Sequence, residues 1–137
     1  MEHHHPVAAQ IAADVARRDP QRLSAALTET ARLRALLPGG PIQAHGRENV
    51  AACLCALFED FDAVHVVESA GESVADKLLI HYRLDVIRAA QRWVCTQTAI
   101  CNLVDGRLAV IDLLCSGFRE IETNVDMPAP SGAPLVG

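Results

Sequence analysis

Apolar and polar residues alternate along residues 78–88, which carry the clearest strand pattern of the chain. With a period of two, one face is wholly apolar and consists of Leu78, Ile80, Tyr82, Leu84 and Val86. The opposite face carries, in order, Leu79, His81, Arg83, Asp85 and Ile87. The pattern predicts a long strand with two different faces. It leaves open whether water or a closed cavity lies over the second face.

Helical spacing of apolar residues predicts three helices in the first half of the chain. The first spans 6–17 and begins with a proline, which suits a first helical turn. Asp19 followed by Pro20 is the start signal of a short second helix over 22–27. A third helix is predicted over 46–60, where apolar residues recur at intervals of three and four.

Strand patterns dominate the second half and predict strands over 63–69, 77–88, 92–104 and 108–116. Asp105 and Gly106 are a strong tight-turn signal, so the last two strands should form a hairpin. Residues 31–37 fit either a strand or a helix, and the proline and glycine cluster at 38–41 ends that element in both cases.

Helices at the front and long strands at the back indicate an α+β domain. About three N-terminal helices should pack over the concave face of a long, curved, mixed or antiparallel sheet and enclose a pocket. We expect a single domain over 6–123. Residues 1–5 should be disordered or tag-like, and the tail over 124–137, which contains several prolines and glycines, should be irregular.

Composition narrows the classes of function. The net charge of -5, without a cluster of Lys and Arg, argues against a nucleic-acid surface. No apolar run approaches the roughly 18 residues that a membrane span needs. The N-terminus does not resemble a signal peptide, so we expect a cytoplasmic protein.

The chain has five cysteines, an odd number, and they lie in apolar segments. In a reducing compartment such residues are small core hydrophobes and not a disulfide framework. No spacing typical of zinc ligands accompanies them. We therefore expect no metal site and no cofactor, and a cysteine nucleophile is the less favoured interpretation of Cys95 and Cys115.

A family resemblance follows from the order of these elements. A helix, a short helix, a helix opened by Gly46, Arg47 and Glu48, and a long hairpin sheet together resemble the nuclear-transport-factor-2-like superfamily of cone-shaped domains. That superfamily includes SnoaL-like polyketide cyclases, ketosteroid isomerases and limonene epoxide hydrolases. Residues 82–89 are similar to the Arg-x-Asp strand of the limonene epoxide hydrolase group, which looks the closest of these.

The resemblance to limonene epoxide hydrolases implies a site inside the cone. Asp85 matches the aspartate that protonates the epoxide, and Arg83 matches the arginine that bridges two carboxylates. The position of the second aspartate falls on Leu113, while the nearest carboxylate, Asp112, has the opposite strand parity. The positions of the assisting Tyr and Asn fall near Leu33 and Ala35. The base that ketosteroid isomerases use also lacks a counterpart, since residues 36–40 hold no carboxylate.

Two further polar residues are candidates for the same cavity. His81 shares the parity of Arg83 and could act as the missing base, or it could only form a hydrogen bond with a neighbour. Gln97 could orient a carbonyl or a water molecule, or it could satisfy Arg83. The pair of Arg83 and Asp85 could also be a solvated strand face or a structural ion pair.

The resemblance further implies an apolar pocket wall, matched by Val15, Leu57, Phe61, Ile87, Cys95, Ile111, Leu113 and Cys115. Two functions follow. The first is an enzyme of the epoxide hydrolase or polyketide cyclase type, in which Asp85, Arg83, His81 and Gln97 act on an apolar small molecule. The second is a binding module of the same fold that holds an apolar ligand without chemistry. A homodimer is expected in both cases, because the outer sheet face bearing Tyr82, Leu84 and Val86 is too apolar to remain in water.

Overall fold

The computed structural model describes residues 5–121, which form three helices and seven strands. In chain order these are α1 (Pro6–Arg17), α2 (Pro20–Ala25), β1 (Leu27–Leu37), β2 (Gly40–His45), α3 (Arg47–Ala56), β3 (Ala63–Val74), β4 (Lys77–Arg88), β5 (Gln91–Val104), β6 (Arg107–Cys115) and β7 (Arg119–Ile121). Residues 1–4 and the predicted tail over 124–137 lie outside the described residues. None of the helices within 5–121 is long and apolar enough to cross a membrane.

The strands form one mixed sheet in the order β2-β1-β6-β5-β4-β3, with β7 paired to β5. Only the β1–β6 pair is parallel, and the other pairs are antiparallel. The three helices lie over one face of this curved sheet, α1 against β3 and β4 and α3 against β1 and β2. The predicted α+β class and the cone-like architecture are therefore confirmed.

The helix starts follow the capping rules that the sequence indicated. Asp19 caps α2 with its carboxylate, which accepts a hydrogen bond from the Arg22 amide at 3.2 Å, and Pro20 occupies the first helical position. His5 caps α1 in the same way, because its Nδ1 accepts from the Val7 amide at 3.2 Å. His5 thus has a structural role, although residues 1–5 were expected to be disordered or tag-like.

Several boundaries differ from the prediction. Residues 31–37 belong to a strand, and Gly40 begins β2, so the glycine and proline cluster is a hairpin turn and not the end of an isolated element. The third helix ends at Ala56, and β3 runs on to Val74. The turn at Asp105 and Gly106 is confirmed, with φ values of 52° and 80° at the two residues.

The strand β4 has the predicted bounds and parity, but its faces are the reverse of the expected ones. Its apolar residues from Leu78 to Val86, including Tyr82, are buried beneath the helices. Arg83 is exposed on the opposite, outer face, where His81 and Asp85 are half-buried. The expectation that this polar face lines the interior was wrong. The physical reason is that the helices cover the face that is costly to leave in water.

The strand β3, at one edge of the sheet, has an irregular register. Its pairing with β4 shifts between Val66 and Glu68, so that Val67 is an extra residue on the edge strand. Val67 is half exposed at this bulge. A bulge of this kind bends an edge strand and interrupts its ladder of hydrogen bonds.

Further along β3, Gly71 lets α1 approach the sheet closely. A Cβ added at Gly71 would lie 2.6 Å from the Cβ of His5 and 2.8 Å from the Cβ of Ala8, closer than real contacts allow. The first turn of α1 therefore rests directly on the backbone of β3. This contact holds in place the helix that covers Tyr82 and its neighbours.

We predict that Gly71→Ala destabilises the fold, because a methyl group there must push α1 away from the sheet. Overpacking of this kind costs about 1–3 kcal/mol of the free energy of unfolding. Urea denaturation should detect this loss. Gly39→Ala is the matched control, because nothing lies within 4 Å of a Cβ at Gly39. An equal effect of both substitutions would contradict the role assigned to Gly71.

Candidate functional site in the interior of the cone

Two polar side chains form a hydrogen bond in the interior of the cone. Tyr82 and Gln97 lie opposite each other on β4 and β5, and they are 2% and 0% exposed. The Tyr82 hydroxyl donates to Gln97 Oε1 at 2.5 Å. Burial is the main cause that raises the pKa of Tyr82 above its usual value, with a smaller contribution from the surrounding thiols. The phenol is therefore held protonated as a hydrogen-bond donor.

Two thiols extend this pair along the same face. Gln97 Nε2 donates to Cys115 Sγ at 3.4 Å, and Cys95 Sγ lies 3.7 Å from Cys115 Sγ. The hydrogen bond from Cys95 is the largest of the effects on the pKa of Cys115, which lies at about 6 although burial opposes the shift. The same hydrogen bond, followed by burial, raises the pKa of Cys95. The four side chains form a continuous chain of contacts, which we call the Tyr82–Cys95 cluster: Tyr82, Gln97, Cys115 and Cys95.

A small cavity borders the Tyr82 end of this cluster. Its volume is about 10 Å³, enough for about one water molecule. Apart from Tyr82, its walls are formed by aliphatic side chains and one thiol, namely Ile11, Leu54, Ile80, Ala99, Cys101, Leu108, Ile111 and Leu113. Packing therefore fills most of the interior, and the phenol is the polar group at the cavity.

Of the four predicted catalytic residues, only one lies on the helix-covered face of the sheet, where the cavity is. Gln97 lies inside, whereas His81, Arg83 and Asp85 lie on the outer face of β4. Asp85 pairs with Arg92, whose guanidinium nitrogen is 2.8 Å from the carboxylate, and not with Arg83. The sheet itself separates Asp85 from Gln97. The expected arrangement of Asp85 and Arg83 with Gln97 in one cavity is therefore not present.

His81 has partners of its own on the outer face. Its Nδ1 lies 2.9 Å from the Thr98 hydroxyl on β5, and its Nε2 lies 3.9 Å from the Glu68 carboxylate on β3. The His81 side chain is 44% exposed. His81 therefore contacts side chains of the two neighbouring strands, which agrees with the structural interpretation of this residue and not with a role as a base in the cavity.

The position of a second carboxylate is also apolar in the structure. Leu113 points into the cavity, and Asp112 lies outside, where Arg34 Nε is 2.9 Å from its carboxylate. Leu33 and Ala35, where the resemblance placed an assisting Tyr and Asn, are buried core residues. The opposite parity of Asp112 was read correctly from the sequence.

The predicted wall residues divide into four groups. Ile111 and Leu113 line the cavity, and Cys95 and Cys115 belong to the cluster. Val15 and Phe61 are buried and Leu57 is partly buried, all three within the helix-covered core. The prediction that Ile87 lines the pocket was wrong. Ile87 lies on the outer face of β4, where it pairs with Ala63 and Arg92.

Tyr82 is the functional candidate that sequence reasoning missed. It was assigned to an outer, dimer-forming face because the resemblance had assigned the polar face to the cavity. The signal was nevertheless present, since Tyr82 is the one hydroxyl within an apolar strand face. A buried tyrosine hydroxyl normally finds a partner, and Gln97 is a polar residue at the facing position.

An aromatic group lies at one end of the sheet, beyond Cys95. Phe118 contacts Phe58 and Phe61, with ring centroids 5.7 and 4.7 Å away. The Arg88 guanidinium lies 5.1 Å from the centroid of Phe61 and 5.7 Å from that of Trp93. Among residues 5–121, no group of His, Cys, Asp and Glu side chains is arranged to hold a metal ion.

Comparisons with known proteins identify the fold. No family model and no curated protein matches this sequence. A protein of ketosteroid isomerase-like fold from Catenulispora acidiphila, solved in complex with trimethylamine, matches with a TM-score of 0.65 and 10% identity, over 80% of this chain and 85% of that one. A proposed SnoaL-like polyketide cyclase from Jannaschia sp. CCS1 matches with a TM-score of 0.62 and 16% identity, over 80% and 83%.

A de novo designed protein with a curved β-sheet matches as well, with a TM-score of 0.56 and 16% identity, over 81% of this chain and 86% of that one. These matches confirm the nuclear-transport-factor-2-like cone fold. They do not extend to the limonene epoxide hydrolase group. Because designed proteins share the fold, the fold alone does not define a function.

We predict that Tyr82 and Gln97 are energetically coupled. Tyr82→Phe leaves a buried amide oxygen without its donor, which costs about 1–3 kcal/mol of the free energy of unfolding. Gln97→Leu added to Tyr82→Phe should cost less than the sum of the single changes, by on the order of 1 kcal/mol. A double-mutant cycle in urea measures this coupling.

The matched control for this cycle is Thr98→Val combined with Tyr82→Phe. Thr98 is next to Gln97 in β5 but contacts His81 on the outer face. Its effect should add to that of Tyr82→Phe. Additive behaviour of Tyr82 and Gln97 themselves would exclude the proposed coupling.

Proposed function

We propose that this domain binds a small apolar molecule that carries a hydrogen-bond acceptor, such as a ketone, inside the cone, and that it does so without acid–base catalysis. The observation that carries the proposal is the composition of the interior. Tyr82 is the polar side chain at an otherwise aliphatic and thiol-lined cavity, while Asp85 and Asp112 lie outside. An apolar pocket with few polar groups suits a hydrophobic ligand, and one donor suffices to orient it.

Tyr82 is the residue that would recognise the acceptor. Its raised pKa keeps the proton on the phenol across the physiological range of pH. In the structure, Gln97 Oε1 accepts the hydrogen bond from the Tyr82 hydroxyl. A ligand carbonyl would replace Gln97 as the acceptor, and the amide would keep a contact through Nε2 to Cys115.

Binding requires the interior to open, because a cavity of about 10 Å³ is far smaller than any organic ligand. Ile11 of α1 and Leu54 of α3 are the cavity residues that the helices supply. A ligand would enter by displacing these side chains from the sheet. The free energy of opening lowers the apparent affinity in proportion to the population of the open state.

Cyclisation or isomerisation of a carbonyl compound is the second candidate. The specific observation in its favour is the protonated Tyr82 phenol in a dry interior, because such a donor stabilises negative charge as it develops on a carbonyl oxygen. The names of the cyclase and isomerase-like structural neighbours agree with this class. Epoxide opening by Asp85 and Arg83 has less support, because both lie on the outer face.

The experiment compares two probes of similar size, cyclohexanone and methylcyclohexane, in titrations followed by NMR of the backbone amides. We expect cyclohexanone to shift the amides around Tyr82 and Gln97 at lower concentration than the hydrocarbon. Tyr82→Phe should abolish this preference while both probes still bind. Equal responses to the two probes in the unmodified protein would contradict the proposal.

Asp85→Asn separates this proposal from catalysis at the outer face. If cyclohexanone binding depends on Tyr82 alone, Asp85→Asn leaves the preference unchanged, because the sheet lies between Asp85 and the cavity. Loss of the preference in Asp85→Asn, with Tyr82→Phe unaffected, would support the outer face and reject the interior site.

We also propose that the domain forms a homodimer through the outer face of the sheet. Leu36, Leu114 and Ile100 are exposed there by 54%, 58% and 47%. They are neighbours, because Leu36 pairs with Leu114, and Ile100, which pairs with Asp112, lines the same surface pocket as both leucines. The ion pair of Arg34 and Asp112 lies beside them. A patch with an apolar centre and with one positive and one negative side chain beside it can face a second copy of itself across a two-fold axis, because apolar side chains then meet each other and opposite charges can pair.

Leu114→Glu should therefore convert a dimer into a monomer, because it places a carboxylate in the centre of the apolar patch. Sedimentation velocity over a range of concentrations measures this change. Val74→Glu is the control, since Val74 is equally apolar and 47% exposed but lies at the turn between β3 and β4. A monomeric unmodified protein would rule out this dimer.

A further inference from the structure

Cys95 and Cys115 are two unpaired thiols in direct contact across neighbouring strands. Their sulfur atoms are 3.7 Å apart on the helix-covered face of β5 and β6. A disulfide has an S–S distance of about 2.05 Å, so the two sulfur atoms must move closer together to form the bond. Cys115 lies opposite Gln97 in the register, and Cys95 is two residues before Gln97. The contact is therefore diagonal between adjacent strands.

The surroundings distinguish Cys115 from the other thiols. Cys95, Gln97 Nε2 and the backbone near Gly117 all donate hydrogen bonds toward its sulfur, and its pKa lies at about 6 as a result. Burial raises the pKa of Cys55 to about 11 and that of Cys101 to about 12. The thiolate is the reactive form of cysteine. Among these thiols, Cys115 therefore has the largest fraction of the reactive form near neutral pH.

Cys115 is also close to the end of the covered region. It is the last residue of β6, and the exposed Ser116 follows it directly. Cys115 is 5% exposed, while Cys95 is fully buried. Of the two thiols, Cys115 is therefore the one that a small reagent from solvent can contact.

We propose that Cys95 and Cys115 are a reversible disulfide site that is oxidised by hydrogen peroxide. The Cys115 thiolate attacks one peroxide oxygen, the O–O bond breaks, and the departing hydroxide takes up a proton to leave as water. Cys115 is then a sulfenic acid. The Cys95 sulfur attacks the Cys115 sulfur, an S–S bond forms, and the Cys115 hydroxyl leaves with the Cys95 proton as a second water.

The disulfide removes two hydrogens from the protein and passes two electrons to the peroxide. It joins β5 to β6 at the end where Gln97 Nε2 donates to Cys115. This amide then loses a thiolate acceptor and keeps only a weak one. The proposed disulfide does not require the ligand proposed above, because it forms from the contact between Cys95 and Cys115 themselves.

The experiment treats the native protein with hydrogen peroxide and measures its intact mass and the positions of the modified cysteines by peptide mapping. We expect the loss of two hydrogens and a single peptide pair linked through Cys95 and Cys115, which a reducing thiol reverses. The rate should rise with pH, reach half its maximum near pH 6 and stay level above pH 8, because it follows the thiolate fraction of Cys115. Cys101→Ser is the matched control and should still form the link.

Cys95→Ala provides a second readout that does not need the disulfide. Cys115 should then stop at the sulfenic acid, which dimedone labels, and its rate profile should move to higher pH because the donor that lowers its pKa most is gone. Modification of Cys53 with Cys95 and Cys115 left as free thiols would overturn the proposal. So would an unchanged intact mass after treatment.

Discussion

Burial of the apolar face of β4 against the helices is the constraint on which the rest of this structure depends. Side chains alternate along a strand, so covering Leu78 to Val86 also turns His81, Arg83 and Asp85 outward. The register with β5 then brings Gln97 opposite Tyr82. One choice of face thus decides which groups meet in the dry interior and which remain beside water. The hydrophobic effect determines which face is covered, because turning the strand over would expose a row of large apolar side chains to water.

The sequence predicted much of the fold because its strongest patterns are local. The bounds of β4, the hairpin at Asp105 and Gly106, and the start of α2 at Pro20 all follow from periodicity or turn chemistry. The face of β4 that meets the helices was assigned by a family likeness instead, and this assignment was wrong. The strand β2 was missed because Gly40 and Pro41 look like a break, whereas its pairing with β1 depends on contacts distant from the local pattern.

The candidate site was less predictable than the fold because it consists of contacts between strands. The distance between Cys95 and Cys115 depends on the diagonal packing of two strands, which the sequence does not specify. Gln97 was recognised as facing the interior, but its partners, Tyr82 and Cys115, were not. Proteins with the same cone fold include designed ones, so a function has to be argued from such side-chain contacts and not from the architecture.

The bulge in β3 affects whether the edge of the sheet can pair with a strand of another molecule. An open sheet ends in two strands whose unpaired backbone groups invite further strands to add, and long regular edges promote aggregation. Here one edge is interrupted where Val67 is inserted, and the other edge, β2, contains Pro41, which has no amide hydrogen to donate. Neither end of the sheet offers a regular template. Growth of the sheet from molecule to molecule through its edge strands is therefore disfavoured.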